Sequence, residues 1–288
     1  MTESLHIVCW NVDHGSAVFV KTPNNRTLVL DAGSTPNFSP SKHLKYEWKY
    51  DHIDEFILSH ADSDHITDLE LLDTELNPTI FRRNKTVPEK IIYPTFPPQI
   101  NPLKYYYAFN NRYSSPIEPD HPLQHDPATN WGNVRISNYF NTYPEKNFSN
   151  LNDYSLVTVI CYGNLEFLFP GDLEAPGFTE LLNEISFTKK CTPSSSNSNE
   201  IRILVASHHG RKAGVYEPFI DLYSPHLTIM QDQYVNETND YDAYYVGTSG
   251  YPVYDKDTKK TDTRFIVTTK LNDYIHIIAD ENNVDVHI

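Results

Sequence analysis

A dense cluster of imidazole and carboxylate side chains lies between a short apolar segment and a segment of helical periodicity. Residues 59–65 read Ser-His-Ala-Asp-Ser-Asp-His, so two histidines and two aspartates fall within six positions. The apolar residues 56–58 precede the cluster, and apolar residues repeat at helical spacing from 66 to 76. A loop between a strand and a helix can direct several side chains to one point. Borderline divalent metals bind imidazole nitrogen and carboxylate oxygen, so the pattern predicts a metal site rather than an ordinary polar loop.

Length, charge and cysteine content restrict the class of protein. A chain of 288 residues can form one large α/β or α+β domain, or two small ones, with a sizeable core. The net charge of -15 argues against broad coating of nucleic acid, although it is compatible with a local basic cleft. The sequence shows neither an apolar run of membrane-spanning length nor a signal-peptide pattern. Cys9, Cys161 and Cys191 form no metal-type pairs and are expected to be reduced, so we expect a cytoplasmic protein without a membrane partner.

Carboxylates or histidines also follow other predicted strands, namely Asp31, Asp172 and the adjacent pair His208 and His209. The predicted strands span residues 5–10, 17–21, 27–30, 56–58, 133–139, 156–160, 165–169, 201–206, 227–230, 264–268, 274–279 and 284–288. Asp31 taken alone is equally well explained as a turn residue. The recurrence of polar residues at strand ends indicates that distant parts of the chain supply one site.

The middle of the chain is less regular. We predict a single domain over residues 1–288 that carries an irregular insertion, rich in proline and tyrosine, at about residues 77–150. Three consecutive tyrosines lie at residues 105–107 within it. The insertion is interpreted either as a lid or substrate wall, or as a surface segment without a catalytic role.

Six motifs in order resemble the metallo-β-lactamase superfamily and, within it, the hydrolase domain of the DNA-uptake channel protein ComEC and its stand-alone relatives. The motifs are a glycine-bearing turn at 11–17, a hairpin at 22–33, His-x-Asp-x-Asp-His at 60–65, Asn-x-x-Ser at 152–155, Gly-Asp at 171–172 and His-His-Gly at 208–210. Each motif alone is a weak signal, whereas six in the same order are a strong one.

The resemblance implies an α+β fold, specifically a four-layer αββα sandwich with two divalent metal ions along one edge. It implies that His60 and Asp62 bind the first ion and that Asp64 and His65 bind the second. Asp172 would bridge both ions. Zinc is the expected metal, and manganese is an alternative because the first group is rich in oxygen.

The paired histidines are assigned less firmly by the resemblance. His208 is expected to complete the ligand set of the second ion, but the sequence does not distinguish it from His209. Only one of them is expected to be a ligand, because adjacent strand residues point to opposite faces. The chain also departs from the wider superfamily, which usually has histidine at position 62 and a further histidine near residues 152–155.

The resemblance and the ligand types together predict a hydrolase in which two ions activate a water molecule. The predicted catalytic residues are Asp64, Asp172, His209 and Lys212. The predicted substrate contacts are His14, Ser155 and Arg211. Because Arg211 and Lys212 adjoin the last motif in an acidic chain, we predict a phosphodiesterase or nuclease, although both can equally be solvated surface cations.

Two other functions are compatible with the sequence. One is hydrolysis of a small ester, a thioester or a choline-type phosphodiester, with the tyrosines of the insertion enclosing a quaternary ammonium group. The other is a metal-binding module that recognises a partner without turnover, which an incomplete first ligand set would permit. The number of bound ions distinguishes an enzyme from such a module.

Overall fold

The structure is a computed structural model that describes residues 4–88, 101–113, 128–146, 148–194, 199–232 and 241–288. These described parts contain fifteen strands: β1 (Leu5–Trp10), β2 (Val18–Lys21), β3 (Thr27–Leu30), β4 (Glu55–Ile57), β5 (Ile80–Arg82), β6 (Arg135–Tyr139), β7 (Val157–Tyr162), β8 (Leu165–Phe169), β9 (Ile201–Val205), β10 (Leu227–Met230), β11 (Tyr251–Asp255), β12 (Lys260–Arg264), β13 (Ile266–Thr268), β14 (Tyr274–Ala279) and β15 (Val284–His287).

The same residues contain eight α-helices: α1 (Pro40–Lys42), α2 (Ser63–Ile66), α3 (Leu69–Leu71), α4 (Asn101–Arg112), α5 (Ala175–Leu182), α6 (Ile185–Cys191), α7 (Glu217–Tyr223) and α8 (Tyr241–Val246). Helix α1 continues as a π-helical segment, His43–Glu47, and α3 continues in the same way as Leu72–Leu76. None of the helices in the described ranges has the length and apolar character needed to cross a bilayer.

The strands form two sheets. In the described chain, one sheet has nine strands in the order β12-β11-β15-β14-β1-β2-β3-β4-β5, and the other has six in the order β13-β10-β9-β8-β7-β6. Strands β3, β4 and β5 are parallel neighbours in the first sheet, and β8, β9 and β10 are parallel neighbours in the second. The carboxyl ends of parallel strands meet at one sheet edge, which brings the loops after them together.

Alternation along the strands divides the core into layers. In β1, Ile7 belongs to the cluster between the sheets and Val8 to the cluster on the outer face, as expected for side chains that alternate with period two. The outer cluster of the first sheet includes Leu72 and Phe109 from its helices. A third cluster, which includes Phe178, lies between the second sheet and its helices. This arrangement confirms the predicted four-layer αββα sandwich.

Most predicted strands are present, but two regions differ from the prediction. The described part of the 77–150 segment contains β5, the twelve-residue helix α4 and β6, so it is more regular than its proline content indicates. Residues 89–100 and 114–127 of that segment lie outside the described residues. In the second region, helix α8 and the hairpin of β11 and β12 occupy a polar stretch for which no element is predicted.

Candidate metal centre

The predicted metal-binding residues lie on loops that follow parallel strands at one edge of the sandwich. Asp31 follows β3, residues 59–65 follow β4, Asp172 follows β8 and residues 207–210 follow β9. The loops are joined directly: Leu156 N donates to Ser59 O at 2.8 Å, and His208 N donates to Gly171 O at 3.1 Å. The two sheets therefore hold their strand-end loops against each other.

The carboxylate of Asp172 lies between two groups of side chains. Its Oδ1 lies 3.2 Å from His65 Nε2 and 3.5 Å from His209 Nε2. Its Oδ2 lies 3.8 Å from His60 Nε2 and 3.6 Å from His208 Nε2. Ligand atoms around one tetrahedral zinc ion are separated by about 3.3–3.6 Å, given metal–ligand bonds of about 2.0–2.2 Å. The two oxygens of Asp172 thus face two sets of donors with spacings near those of metal ligands.

One set, here called the Asp64 group, consists of Asp64, His65, Asp172 and His209. Each of these residues offers a ligand atom, and these atoms all lie within 4.8 Å of one another. His209 Nε2 lies 3.4 Å from Asp64 Oδ2. The sequence favours His208 as the histidine of this set, but the structure brings His209 to it.

The other set, here called the Asp62 group, consists of His60, Asp62 and Asp172. His60 Nε2 lies 3.6 Å from Asp62 Oδ2 and faces Asp172 Oδ2. The side chain of Asp62 is 41% exposed, whereas that of His60 is 7% exposed. This set is therefore the more open of the two.

Asp31 holds the imidazole of His65. From the sequence alone, Asp31 is equally well explained as a turn residue. Asp31 Oδ2 lies 2.6 Å from His65 Nδ1. The Asp31 carboxylate also accepts from the backbone N–H and the hydroxyl of Ser59, both at 2.7 Å. A carboxylate against Nδ1 fixes the ring and leaves Nε2 for a metal. Asp31 therefore positions one histidine and the start of the 59–65 loop together.

The rings of His60 and His209 are restrained in a similar way. Ser59 Oγ lies 3.1 Å from His60 Nδ1, and the carbonyl oxygen of Gln231 lies 3.0 Å from His209 Nδ1. In both rings Nε2 is directed toward Asp172. Gln231 was not predicted as a site residue, and a backbone acceptor leaves no signal in a sequence.

Three of these nitrogens are buried without a hydrogen bond. Within the described residues, Nε2 of His60, His65 and His209 has no hydrogen-bonding partner, although each lies near a carboxylate. A buried polar atom without a partner costs about 1–3 kcal/mol. Coordination of divalent ions would satisfy all three atoms, so the residues present fit a metal centre.

Opposite charges in the centre stabilise each other and shift the pKa values of its histidines and aspartates. Burial alone would lower the pKa of His65, but the charges of Asp172 and Asp31 outweigh it and hold this pKa well above its usual value. The pKa of His209 is likewise raised to about 9, because Asp172 and Asp64 outweigh burial. Burial would raise the pKa of Asp172, but His209, His65 and His60 hold it well below its usual range. The carboxylates thus favour positive charge between them, and a bound metal would compete with protons for the same nitrogens.

The backbone of the 207–210 loop explains why both adjacent histidines face the centre. Strand β9 ends at Val205, so the alternation of a strand does not extend to this loop. His208 and His209 have φ values of 50° and 57°, in the left-handed region that ordinary residues seldom adopt. Such strain is concentrated at functional sites. Both rings therefore lie near Asp172, and the expectation that only one of the pair is a ligand stays a prediction.

Two glycines allow the metal-binding loop to pack closely. A Cβ on Gly33 would lie 2.5 Å from the carbonyl oxygen of Asp64, and one on Gly15 would lie 2.6 Å from the same atom. Ser16 N donates to that oxygen at 3.2 Å. The turn after β1 therefore lies directly against the backbone of Asp64.

The predicted substrate contacts and catalytic cations have different environments. His14, 43% exposed, has its Nδ1 2.8 Å from Asp232 Oδ1. Arg211 Nη1 lies 3.3 Å from His208 Nε2. Lys212 is exposed, and in the described chain its side chain makes no hydrogen bond or ion pair. Ser155 is fully buried, so its hydroxyl is not open to a substrate in this conformation.

The segment where the superfamily usually has a further histidine has a structural role here. Asp153 Oδ1 accepts from Gly177 N at 2.9 Å and from Glu174 N at 3.2 Å, at the start of α5. The amide of Asn152 donates to Glu174 Oε1 at 3.3 Å. Neither side chain is placed as a first-ion ligand by these contacts.

A pocket adjoins the Asp62 group. It is lined by His60 and Asp62 and, from the 77–150 segment, by Arg83, Val87 and Tyr106. Part of that segment therefore forms a wall beside the centre. Tyr106 is itself buried in the outer core, which leaves little of it for enclosing a quaternary ammonium group.

The comparisons with known proteins agree with this fold. The family model described as the metallo-β-lactamase superfamily matches residues 10–139, which include the first metal-binding loop. No curated protein sequence matches this chain. The match covers less than half of the chain, and it agrees with the metallo-β-lactamase fold of the observed layers.

Several solved structures are similar to this chain at low identity. CmlA, a diiron β-hydroxylase from Streptomyces venezuelae, is 12% identical with a TM-score of 0.43, and the match covers 86% of this chain and 49% of CmlA. A diphosphatase of the PhnP family is 9% identical with a TM-score of 0.40, covering 79% of this chain and 87% of that chain. A long-form RNase Z from yeast is 10% identical with a TM-score of 0.39, covering 98% of this chain and 42% of that enzyme. This chain spans about half the length of CmlA, and likenesses at this level carry no conclusion about its activity.

Proposed function

We propose that this protein is a metal-dependent hydrolase of phosphodiester bonds, a phosphodiesterase or nuclease that binds two divalent ions on either side of Asp172. The observation that supports this proposal is the division of the Asp172 carboxylate, with Oδ1 toward His65 and His209 and Oδ2 toward His60. The Asp64 group holds one ion and the Asp62 group the other. Zinc suits the imidazole nitrogens, and the carboxylate-rich Asp62 group also suits manganese.

The bound ions would supply a water of lowered pKa and charge neutralisation for both oxygens of an in-line displacement. The protein's own residues have separate tasks. In this proposal Asp64, 33% exposed at the side chain, would hold the proton of a water molecule and orient it beside the centre. Arg211 lies beside His208 and in this proposal would bind a phosphoryl oxygen.

The charge distribution limits the substrate class. With a net charge of -15, the chain would repel a long polyanion except near local cations. Arg83 lines the pocket beside the Asp62 group, and Arg211 and Lys212 follow the last ligand loop. The proposal therefore favours single-stranded nucleic acid, a nucleotide or another small phosphodiester. The resemblance to ComEC-type hydrolase domains supports the same class.

Hydrolysis assays test this proposal. Purified protein is incubated with bis-p-nitrophenyl phosphate and with labelled single-stranded oligonucleotides, in Mn²⁺, in Zn²⁺ or in EDTA. We expect metal-dependent turnover that falls by about 10²–10⁴-fold in Asp172→Ala. Asp51→Asn serves as the matched control, because Asp51 is 90% exposed at the side chain and pairs with Lys45 outside the candidate centre.

Two results would contradict the proposal. One is no metal-dependent turnover of either substrate, and the other is turnover that Asp172→Ala leaves unchanged. If small carboxylic esters or thioesters are hydrolysed instead, the ions are catalytic and the phosphodiester assignment is wrong. Two tightly bound ions with no turnover of any of these substrates would favour a metal-binding module.

A further inference from the structure

The Asp62 group has three residues, one fewer than the Asp64 group. Zinc in proteins is bound by four ligands, or by three protein ligands with a water in the fourth position. His60, Asp62 and Asp172 supply three atoms, one of which belongs to a carboxylate shared with the other group. No contact in the described residues joins the 152–155 segment to the Asp62 group, because Asp153 accepts from the backbone at the start of α5 and the Asn152 amide donates to Glu174.

His208 lies next to the Asp62 group. Its Nε2 lies 3.6 Å from Asp172 Oδ2, the oxygen that also faces His60. Its side chain is 14% exposed, and the left-handed backbone at His208 directs the ring to this side of Asp172. His209 from the same loop faces the opposite oxygen, so the pair divides between the two groups.

Glu174 holds the other side of the His208 ring. Its Oε1 lies 3.1 Å from His208 Nδ1 and also accepts a hydrogen bond from the Asn152 amide at 3.3 Å. This carboxylate lies on the Nδ1 side of His208 as Asp31 lies on the Nδ1 side of His65, but in the described residues only the Asp31 contact is a hydrogen bond. A carboxylate at Nδ1 is the usual partner of a metal-binding imidazole. Asn152 thus acts on the ring through Glu174.

The contact with Arg211 indicates that the opposite ring nitrogen, His208 Nε2, carries no proton. Arg211 Nη1 lies 3.3 Å from His208 Nε2, and a guanidinium can only donate, so Nε2 presents its lone pair. The same lone pair would coordinate a metal. An ion at Nε2 and the Arg211 contact exclude each other, so ion binding would release Arg211 toward the substrate.

We infer that His208 is the missing ligand of the Asp62 group, oriented by Glu174 and Asn152, and that it takes the place of the superfamily's usual histidine near 152–155. This inference rests on the proposed two-ion function. It assigns both histidines of one His-His-Gly loop to metal binding, one for each ion.

Metal titration tests the inference without relying on activity. We titrate wild type and four variants with Zn²⁺ by calorimetry and chelator competition, and we follow Co²⁺-loaded samples by visible absorption. The variants are His208→Ala, His209→Ala, Glu174→Gln and Arg211→Ala. Glu180→Gln is the matched control, since Glu180 lies on α5, is 34% exposed at the side chain and pairs with Lys146. Circular dichroism and thermal unfolding confirm that each variant is folded.

We expect two ions in wild type and in Glu180→Gln. His208→Ala should keep one ion at wild-type affinity and bind the other about 10–100-fold more weakly, with the loss of one Co²⁺ absorption component. His209→Ala should instead bind the ion of the Asp64 group more weakly. Glu174→Gln should lower the affinity for the same ion that His208→Ala affects, by about 10-fold. Arg211→Ala should bind that ion at least as tightly as wild type.

Two results would overturn the inference in different ways. If wild type binds two ions and both His208→Ala and Glu174→Gln bind two with unchanged affinity and spectrum, His208 is not a ligand, and the proposed function stands. If wild type binds no ions, the proposed function fails and this inference fails with it. Should His208→Ala prove unfolded, Glu174→Gln and Arg211→Ala decide the question.

Discussion

Asp31 Oδ2 lies 2.6 Å from His65 Nδ1, and both side chains are almost completely buried beneath the candidate metal centre. Asp31 contributes no ligand atom to either group, yet it holds His65 and both polar groups of Ser59. The centre therefore depends on a residue that contacts its ligands without facing the site itself.

The first prediction concerns this pair. Asp31→Asn should lower the affinity of the Asp64 group for its ion by about 10–100-fold, because an amide orients and polarises the imidazole less well than a carboxylate. Competition with a coloured chelator measures the change, with Asp51→Asn as the exposed control. Unchanged affinity in a folded Asp31→Asn protein would show that this buried contact is not needed for binding.

The second prediction concerns the close approach of backbone at Gly33. In Gly33→Ala the added Cβ would lie 2.5 Å from Asp64 O and 2.8 Å from Ser16 N, and both contacts are with backbone atoms that cannot turn aside. The loop that carries Asp64 must shift. We expect a loss of about 1–3 kcal/mol in unfolding free energy, by analogy with overpacking, together with weaker metal binding. Denaturant unfolding and metal titration of the same samples check this, and wild-type values in both would refute it.

The third prediction is a pH dependence of stability that originates at Asp153. Burial raises the pKa of Asp153 to about 6, although the N–H groups of Gly177 and Glu174 oppose the shift. The folded state therefore holds more protons than the unfolded state between about pH 4 and 6, so this residue's contribution to stability falls as pH rises through that range. Asp153→Asn keeps an acceptor for the helix but cannot ionise.

The measurement for Asp153 is a difference between two proteins. From pH 4 to 7, the unfolding free energy of Asp153→Asn relative to wild type should change in favour of the variant by of order 1–3 kcal/mol. The subtraction removes titrations that the two proteins share, and zinc content should stay the same. A difference that is independent of pH would show that Asp153 is already ionised across this range when folded.

The fourth prediction separates folding from metal binding. Glu166 and Arg202 are both buried beneath the helices of the second sheet, with Arg202 Nη2 3.2 Å from Glu166 Oε1. Arg202 Nη2 also donates to Cys191 O at 2.6 Å, and Lys190 pairs with Glu166 from the other side. Glu166→Ala would remove the nearer of two carboxylates from the buried guanidinium and leave Glu200, whose Oε2 lies 3.6 Å from Arg202 Nε.

We expect Glu166→Ala to lower the unfolding free energy by about 3–5 kcal/mol, because removing the nearer partner of a buried charge is strongly destabilising. Below its melting temperature the variant should retain wild-type zinc affinity, since Glu166 is separate from both ligand groups. Chemical denaturation and zinc titration test the two parts. A loss below about 1 kcal/mol would mean that Lys190 or solvent adjusts to the change.

Most strand positions could be predicted from local pattern, whereas the layers and the set of residues that meet at the centre were implied by the resemblance of six motifs. Strands such as Leu5–Trp10 and Leu165–Phe169 are apolar and bounded by turns, so their positions follow from composition and spacing. Polar residues after parallel strands meet at one edge, which brings His60, His65 and Asp172 together. These features depend on local pattern, and local pattern is what a sequence records.

Other features depend on tertiary contacts and could not be predicted. The division of His208 and His209 between the two oxygens of Asp172 follows from left-handed φ values after the end of β9, where strand alternation no longer applies. The position of Glu174 beside His208 depends on how α5 packs against residues 151–154. The hairpin of β11 and β12 was not predicted because its second strand is exposed throughout and shows no apolar alternation.

Anomalous diffraction from crystals of the wild-type protein grown with Zn²⁺ tests the central claim most directly. We predict two peaks about 3.5–4 Å apart, one on each side of the Asp172 carboxylate. One peak should lie within bonding distance of Asp64, His65 and His209, and the other within bonding distance of His60 and Asp62. No peak at Asp172, or a single fully occupied one, would contradict the proposed two-ion centre.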